Sequence, residues 1–154
     1  MKTRILEHTD AGFLGKSEQI VNIYNKYSKA PFNEVLNLPK PQSIKLVIVE
    51  GIRGGVLFDR VKTPDGDIYS VMYAAFMKRD QKKGHLSACI RHMRETGLSV
   101  KIVELGYTDG AFNAFNKLGF TKLGMLNLSQ VLTTECLDFI KYKKLIKKPF
   151  VLYK

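Results

Sequence analysis

The sequence predicts an α/β fold of the α+β kind, built on one mixed sheet, and three observations predict it. Residues 44–50, 56–61 and 68–77 are runs of branched and aromatic residues separated by glycine-rich or proline-containing turns, the signature of an antiparallel meander. From Lys78 onward the apolar spacing switches from strand-like to helical and then alternates between the two. A long strand feeding a helix and then another strand is a βαβ crossover, so the pairing turns from antiparallel to parallel around Ile68 to Leu105.

Each element has a local reason. Ser17 reads as an N-cap, and Ile20, Ile23, Tyr24 and Tyr27 follow at i, i+3, i+4 and i+7 on one helix face, which Pro31 stops. Pro31 to Leu38 reads as a second short helix, with Pro39 and Pro41 closing the helical region. Ile44 to Glu50 is the first strand, turned by Gly51, Gly54 and Gly55, and Val56 to Val61 is the second. Thr63-Pro64-Asp65-Gly66 is turn chemistry, because proline fixes φ and glycine accepts a positive φ. Ile68 to Met77 is a long third strand.

Leu86, Cys89, Ile90 and Met93 then repeat at helical spacing, and Gly97 suits the position just past the helix end. Val100 to Leu105 is a strand, and Ala111, Ala114, Phe115 and Leu118 mark a helix closed by Gly119. Phe120 to Leu126 reads as a strand, Ser129 as the cap of a helix carrying Leu132, Cys136, Phe139 and Ile140, and Phe150 to Tyr153 as a terminal strand after Pro149. No repeat or linker divides the chain, so residues 1–154 read as one domain.

Composition narrows the function. The 154 residues are 45% hydrophobic, enough for a core, yet the longest apolar run is far too short to span a bilayer. Met1 to Asp10 carries Glu7 and Asp10 and has no apolar stretch of the kind a secretory signal needs. Cys89 and Cys136 lack C-x-x-C spacing, and with three histidines there is no metal-ligand pattern, so the reading is a reduced, cytoplasmic protein without a metal. The net charge of +11 attracts polyanions such as nucleic acid or nucleotide cofactors.

Gln81-Lys82-Lys83-Gly84-His85 lies between the long strand and its helix. A helix N-terminus offers free backbone N–H groups and the positive end of the macrodipole. Gly84 permits close approach of a phosphate, and Lys78, Arg79, Lys82 and Lys83 add positive charge. Neither a P-loop nor a G-x-G-x-x-G pattern is present, which points the anion site toward another cofactor class.

Two blocks carry a family resemblance. Phe76-Met77-Lys78-Arg79-Asp80-Gln81-Lys82-Lys83-Gly84-His85-Leu86-Ser87 is similar to the pyrophosphate-binding motif Arg/Gln-x-x-Gly-x-Gly/Ala of the GNAT superfamily of N-acetyltransferases. Thr108-Asp109-Gly110-Ala111-Phe112-Asn113-Ala114-Phe115-Asn116-Lys117-Leu118-Gly119-Phe120 resembles that superfamily's N-x-x-A-x-x-x-Y-x-K-x-G-F helix. The resemblance implies a sheet splayed between Ile68–Met77 and Val100–Leu105, with acetyl-CoA wedged into the opening as acyl donor. It implies that the backbone of Phe76 and Lys78 meets the pantetheine and the thioester carbonyl, with Met77 between them. It also implies that the N–H groups of Lys82, Lys83, Gly84, His85, Leu86 and Ser87, following Gln81, hold the diphosphate, and that Ala111 and Phe115 lie along the cofactor arm.

Three residues depart from the pattern. Leu86 stands where the motif prefers glycine or alanine, Thr108 replaces asparagine, and Phe115 replaces the tyrosine that often protonates the leaving thiolate. Direct transfer still requires a base for the amine and a proton for the thiolate. Glu104, at the end of an otherwise apolar strand beside the predicted splay, is the candidate base; its other reading is a paired or solvent-facing strand glutamate. Tyr107 and Tyr73 are the candidate acids, each with the other reading of a packed aromatic. His85 reads as a cofactor-site or surface residue, and His8 and His92 as surface residues.

The acceptor stays open between three classes: a small or protein amine; a nucleic acid, as in tRNA-acetylating toxins or phage Mom-type enzymes; and no acceptor at all, in a non-catalytic module that binds CoA or nucleic acid. Lys141 to Lys154 holds six lysines interleaved with Tyr142, Phe150 and Tyr153, which suits phosphates and stacked bases. The expected state is a monomer or homodimer.

Overall fold

A computed structural model describes residues 1–27, 35–36, 38, 40–63, 66–104, 115–122 and 150–153. Among them run β1 (Thr3–Glu7), α1 (Phe13–Tyr27), a 3-10 turn (Pro41–Ser43), β2 (Ile44–Val49), β3 (Gly54–Thr63) and β4 (Gly66–Phe76). A second 3-10 turn (Lys78–Asp80), α2 (His85–Glu95), β5 (Ser99–Glu104), β6 (Phe120–Lys122) and β7 (Phe150–Tyr153) follow. The strands form one sheet in the order β1-β2-β3-β4-β5-β7-β6. The first four pair antiparallel, β4 and β5 are parallel, and β7 pairs antiparallel with both β5 and β6.

Each face of the sheet carries its own core. On one side Leu46, Ile48, Leu57, Met72 and Ala75 meet Phe13, Ile20 and Ile23 of α1. On the other, Val47, Val56, Phe58 and Val71 meet Cys89, Ile90 and Met93 of α2, together with Phe115 and Phe120. Ile20 and Ile90 are fully buried, and each such aliphatic side chain stabilises the fold by about 1.5–3 kcal/mol. The layers are helix, sheet, helix.

Four expectations are corrected. β1 was unforeseen: it holds one fully inward residue, Leu6, in a burial pattern too weak to announce a strand, and it forms the sheet edge beside β2. Ser17 is not a cap. The helix starts a turn earlier at Phe13, and buried Ser17 donates its Oγ to the Phe13 carbonyl at 2.7 Å from inside the helix. The long strand begins at Gly66, whose φ of +120° and pairing with Thr63 set a two-residue hairpin. His92 is half-buried and hydrogen-bonded through Nδ1 to the Thr3 hydroxyl, which ties α2 to β1. The short helix expected at Pro31 to Leu38 and the helix expected after Ser129 fall largely or wholly outside the described residues.

A bulge changes the frame of β4. Leu57 of β3 partners Tyr73 and Phe58 partners Val71, so Met72 is an extra residue. Before the bulge, Tyr69 and Val71 face α2; after it, Ala74 and Phe76 do. Met72 and Tyr73 are neighbours in sequence, yet both pack toward α1. Strict alternation through Met72 would send Tyr73 to the α2 side; the bulge keeps it on the α1 side.

Candidate active site at the end of β4

The two long edges of β4 behave differently. Toward β3 the register continues to Gly54↔Phe76. Toward β5 it runs Ile68↔Ser99, Tyr69↔Val100, Ser70↔Ile102 and Val71↔Val103, with Lys101 as the residue that slips, and among the described residues it goes no further. Met72 to Phe76 thus extend beyond the parallel pairing, while β5 turns its other edge to β7 through Glu104↔Phe150. The parallel β4–β5 pair expected from the sequence is thus present, and β4 continues past it toward α2.

The close fit on the β3 side explains why the strand end holds its place. Gly54 lies at φ +118°, and a Cβ there would sit 2.1 Å from the Ala75 carbonyl oxygen. Only glycine permits that approach. Its N–H donates to Gln19 Oε1 at 3.1 Å, which links the strand start to α1.

Beyond Phe76 the chain makes a 3-10 turn and then a tight turn into α2. Gln81 Nε2 donates to the Phe76 carbonyl at 2.9 Å, folding the turn back on the strand. Lys82 has a φ of +61°, and Gly84 has a φ of +82° immediately before the helix. The helical ladder opens with Ala88 N–H to the Gly84 carbonyl at 3.0 Å. The N–H groups of His85, Leu86 and Ser87 therefore precede it, with no side-chain cap and no acid in the first turn. Lys82 and Lys83 are exposed beside them. Asp80 is buried, and its Oδ2 lies 3.6 Å from Arg79 Nε. An uncapped helix start flanked by exposed lysines favours an anion.

The sequence-predicted residues separate into groups. Phe76, Met77, Lys78, Gln81, Lys82, Lys83, Gly84, His85, Leu86 and Ser87 gather at one strand end and the helix start it leads into. His85 is 8% exposed and tilts against Phe76 at 5.7 Å, so it is a buried residue of the turn and not a surface one. Leu86, the departure from glycine or alanine, is half-buried against the α2-side core, which gives its bulk a packing role. Phe115 is 3% exposed and edge-on to Phe120 at 5.7 Å. Tyr73 meets Tyr24 of α1 edge-on at 5.2 Å, on the opposite face from α2. Glu104 closes β5. Tyr107 and Ala111 lie outside the described residues.

Two groups at the site were not foreseen. The Lys78 N–H donates to the Tyr27 hydroxyl at 3.4 Å, bringing the end of α1 to the end of β4. The Met77 N–H reaches the Arg53 carbonyl at 3.5 Å. Tyr27 was legible only as a core position of the helix, because a contact across 51 residues leaves no local trace.

Away from this strand end, burial governs the titrating groups. It pushes the Tyr69 hydroxyl up, with Lys45 and then Arg60 pulling the other way, so Tyr69 keeps its proton. The Cys89 thiol is pushed up to about 12 by burial. It lies 3.8 Å from the Val47 carbonyl and is inert as a nucleophile. Among the described residues no group of three His, Cys, Asp or Glu side chains is placed to hold a metal, and no helix is long and apolar enough to cross a membrane.

This architecture is that of a GNAT-type acetyltransferase fold. Among solved structures, the chain is similar to N-acetylglutamate synthase from Neisseria gonorrhoeae complexed with coenzyme A and N-acetyl-glutamate. The TM-score is 0.61 at 10% identity, over 99% of this chain and 35% of that one. The same enzyme complexed with coenzyme A and L-arginine gives 0.57 at 9% identity, over 99% of this chain and 33% of that one. An aminoglycoside acetyltransferase from an uncultured soil metagenomic sample, in complex with trehalose, gives 0.57 at 14% identity, over 76% of this chain and 85% of that one. The chain spans about a third of the length of the synthase. No protein-family model and no curated protein sequence matches it.

Proposed function

We propose that the chain is an N-acyltransferase that takes an acetyl group from acetyl-CoA and passes it directly to an amine. One observation carries the reading: β4, paired in parallel with β5 over Ile68 to Val71, runs on through Phe76 into the uncapped start of α2. That single path offers a slot for a thioester arm and, at its end, amides for a diphosphate. The structures complexed with coenzyme A share this fold and support the choice of donor.

Acetyl-CoA supplies an activated acyl group on a thiolate leaving group. The chain's own part is to bind, orient and move protons. The His85, Leu86 and Ser87 amides, with Lys82 and Lys83, neutralise the diphosphate. Glu104, at the open end of β5, removes the amine proton. Phe115 has no proton to give, so the acid role falls to Tyr107, with Tyr73 turned toward α1 as its rival.

Acetyl-CoA at a hundredfold excess over its dissociation constant should stabilise the protein by about 2.7 kcal/mol, a rise in Tm of roughly 5–10 °C. A Tm unmoved by acetyl-CoA and by CoA would remove the proposal. Glu104→Gln should abolish transfer to an amine while leaving that thermal shift intact; full activity in the variant would reassign the base.

A second reading, modification of nucleic acid, draws on the net charge of +11. It requires tRNA or duplex DNA to be retarded in a gel at low salt and released steeply as salt rises.

A further inference from the structure

A polar cleft of about 360 Å³ opens along α1 at the same end of β4 as the turn into α2. Gly15, Glu18, Asn22 and Lys26 line it from the helix, and Arg53 and Met77 line it from the sheet side. The helix residues stand at i, i+3, i+7 and i+11, so the cleft follows one stripe for about 16 Å. Its lower end joins the candidate site twice: Met77 N–H bonds the Arg53 carbonyl, and Lys78 N–H bonds the hydroxyl of Tyr27, the neighbour of Lys26.

The cleft's charges do not pair with one another, although Lys26 Nζ lies 5.5 Å from the centroid of the Tyr27 ring. Glu18, Lys26 and Arg53 are exposed, and among the described residues none of them makes an ion pair within 4 Å. One carboxylate and two cations lining a single concave wall without closing on one another leave a pattern for a ligand of opposite layout. The volume is near the lower limit of small-molecule pockets, roughly 300–1,000 Å³, which suits a compact ligand.

We infer that this cleft binds a small molecule that carries both an ammonium group and a carboxylate, an amino-acid-like molecule. Arg53 and Lys26 hold the carboxylate, and Glu18 holds the ammonium group. The binding does not rest on the acyltransferase reading.

Calorimetric titration of the full chain without CoA tests it, using glutamate and γ-aminobutyrate against butylamine and butyrate. The two amino acids should bind at least about tenfold tighter than either single-charge analogue. Arg53→Gln should weaken them by about tenfold or more. Gly15→Trp should block them: a Cβ at Gly15 meets nothing within 4 Å, so the indole enters the cleft without straining the helix. Binding of butylamine as tight as that of γ-aminobutyrate, no binding by either amino acid, or unchanged binding in Gly15→Trp overturns the inference. Parallel titrations with CoA separate the two failures. CoA bound with no amino acid bound defeats the cleft alone; amino acid bound with no CoA bound defeats only the transfer reading.

Discussion

The two edges of β4 carry the same residues and do opposite things. Against β3 the strand is paired to its last residue and is held by a glycine that tolerates no substituent. Against β5, among the described residues, it is paired at four positions from Ile68 to Val71. The backbone groups at the end of the strand are therefore satisfied toward β3. The difference teaches that the strand end leading into α2 is anchored from one edge, by the tightest backbone approach among the glycines described.

Substitutions at each edge sharpen that contrast. Gly54→Ala attacks the rigid edge and should cost at least about 3 kcal/mol in denaturant unfolding, because the new Cβ would overlap the Ala75 carbonyl and force β3 from β4. Wild-type stability in that variant would mean the edge is not rigid.

Cys89 reports on the closed region beneath α2. Its folded thiol loses its proton near 12 and its unfolded one near 9, so the folded state holds more protons between those values. Stability should therefore fall as pH rises from about 9 toward 12, by about 1.4 kcal/mol per pH unit more than in Cys89→Ala. In a Cys136→Ser background, alkylation at pH 8 should follow global unfolding and no faster process.

The turn that β4 leads into is gentler. Gly84→Ala places a side chain in the left-handed region and should cost about 1–2 kcal/mol, with acetyl-CoA affinity falling alongside. Gln81→Ala removes the bond to the Phe76 carbonyl on an exposed turn, for about 0.5–1 kcal/mol in denaturant unfolding. Cofactor affinity should move more than stability in both; a purely structural turn would give the reverse.

Much of the sheet was legible because its strands are made of β-branched and aromatic runs between turns that dictate their own geometry. The Thr63-Gly66 hairpin and the strand-to-helix change at Lys78 came from residue type alone. β1 escaped because an edge strand five residues long with a single deeply buried side chain carries almost no periodic signal. Ser17 misled because the same hydroxyl that caps a helix from outside also bonds a carbonyl one turn back from inside. At the candidate site the turn into α2 was visible as glycine, lysines and a helix start. The roles of Tyr27 and Arg53 were not, since both arrive from distant elements, Tyr27 through its hydroxyl and Arg53 through its carbonyl, by contacts that local sequence leaves unrecorded. The bulge was invisible for a different reason: Ile68 to Met77 is apolar almost throughout, so sliding it by one residue yields an equally acceptable strand.

That extra residue at Met72 also sets a rule for anyone comparing this chain with a relative. Positions 66–71 and 73–76 keep separate odd-even counts, and in a counterpart lacking the insertion the second residue after the Val71 position would fall on the other face. An alignment carried straight through would assign every later side chain of the strand to the wrong face of the sheet.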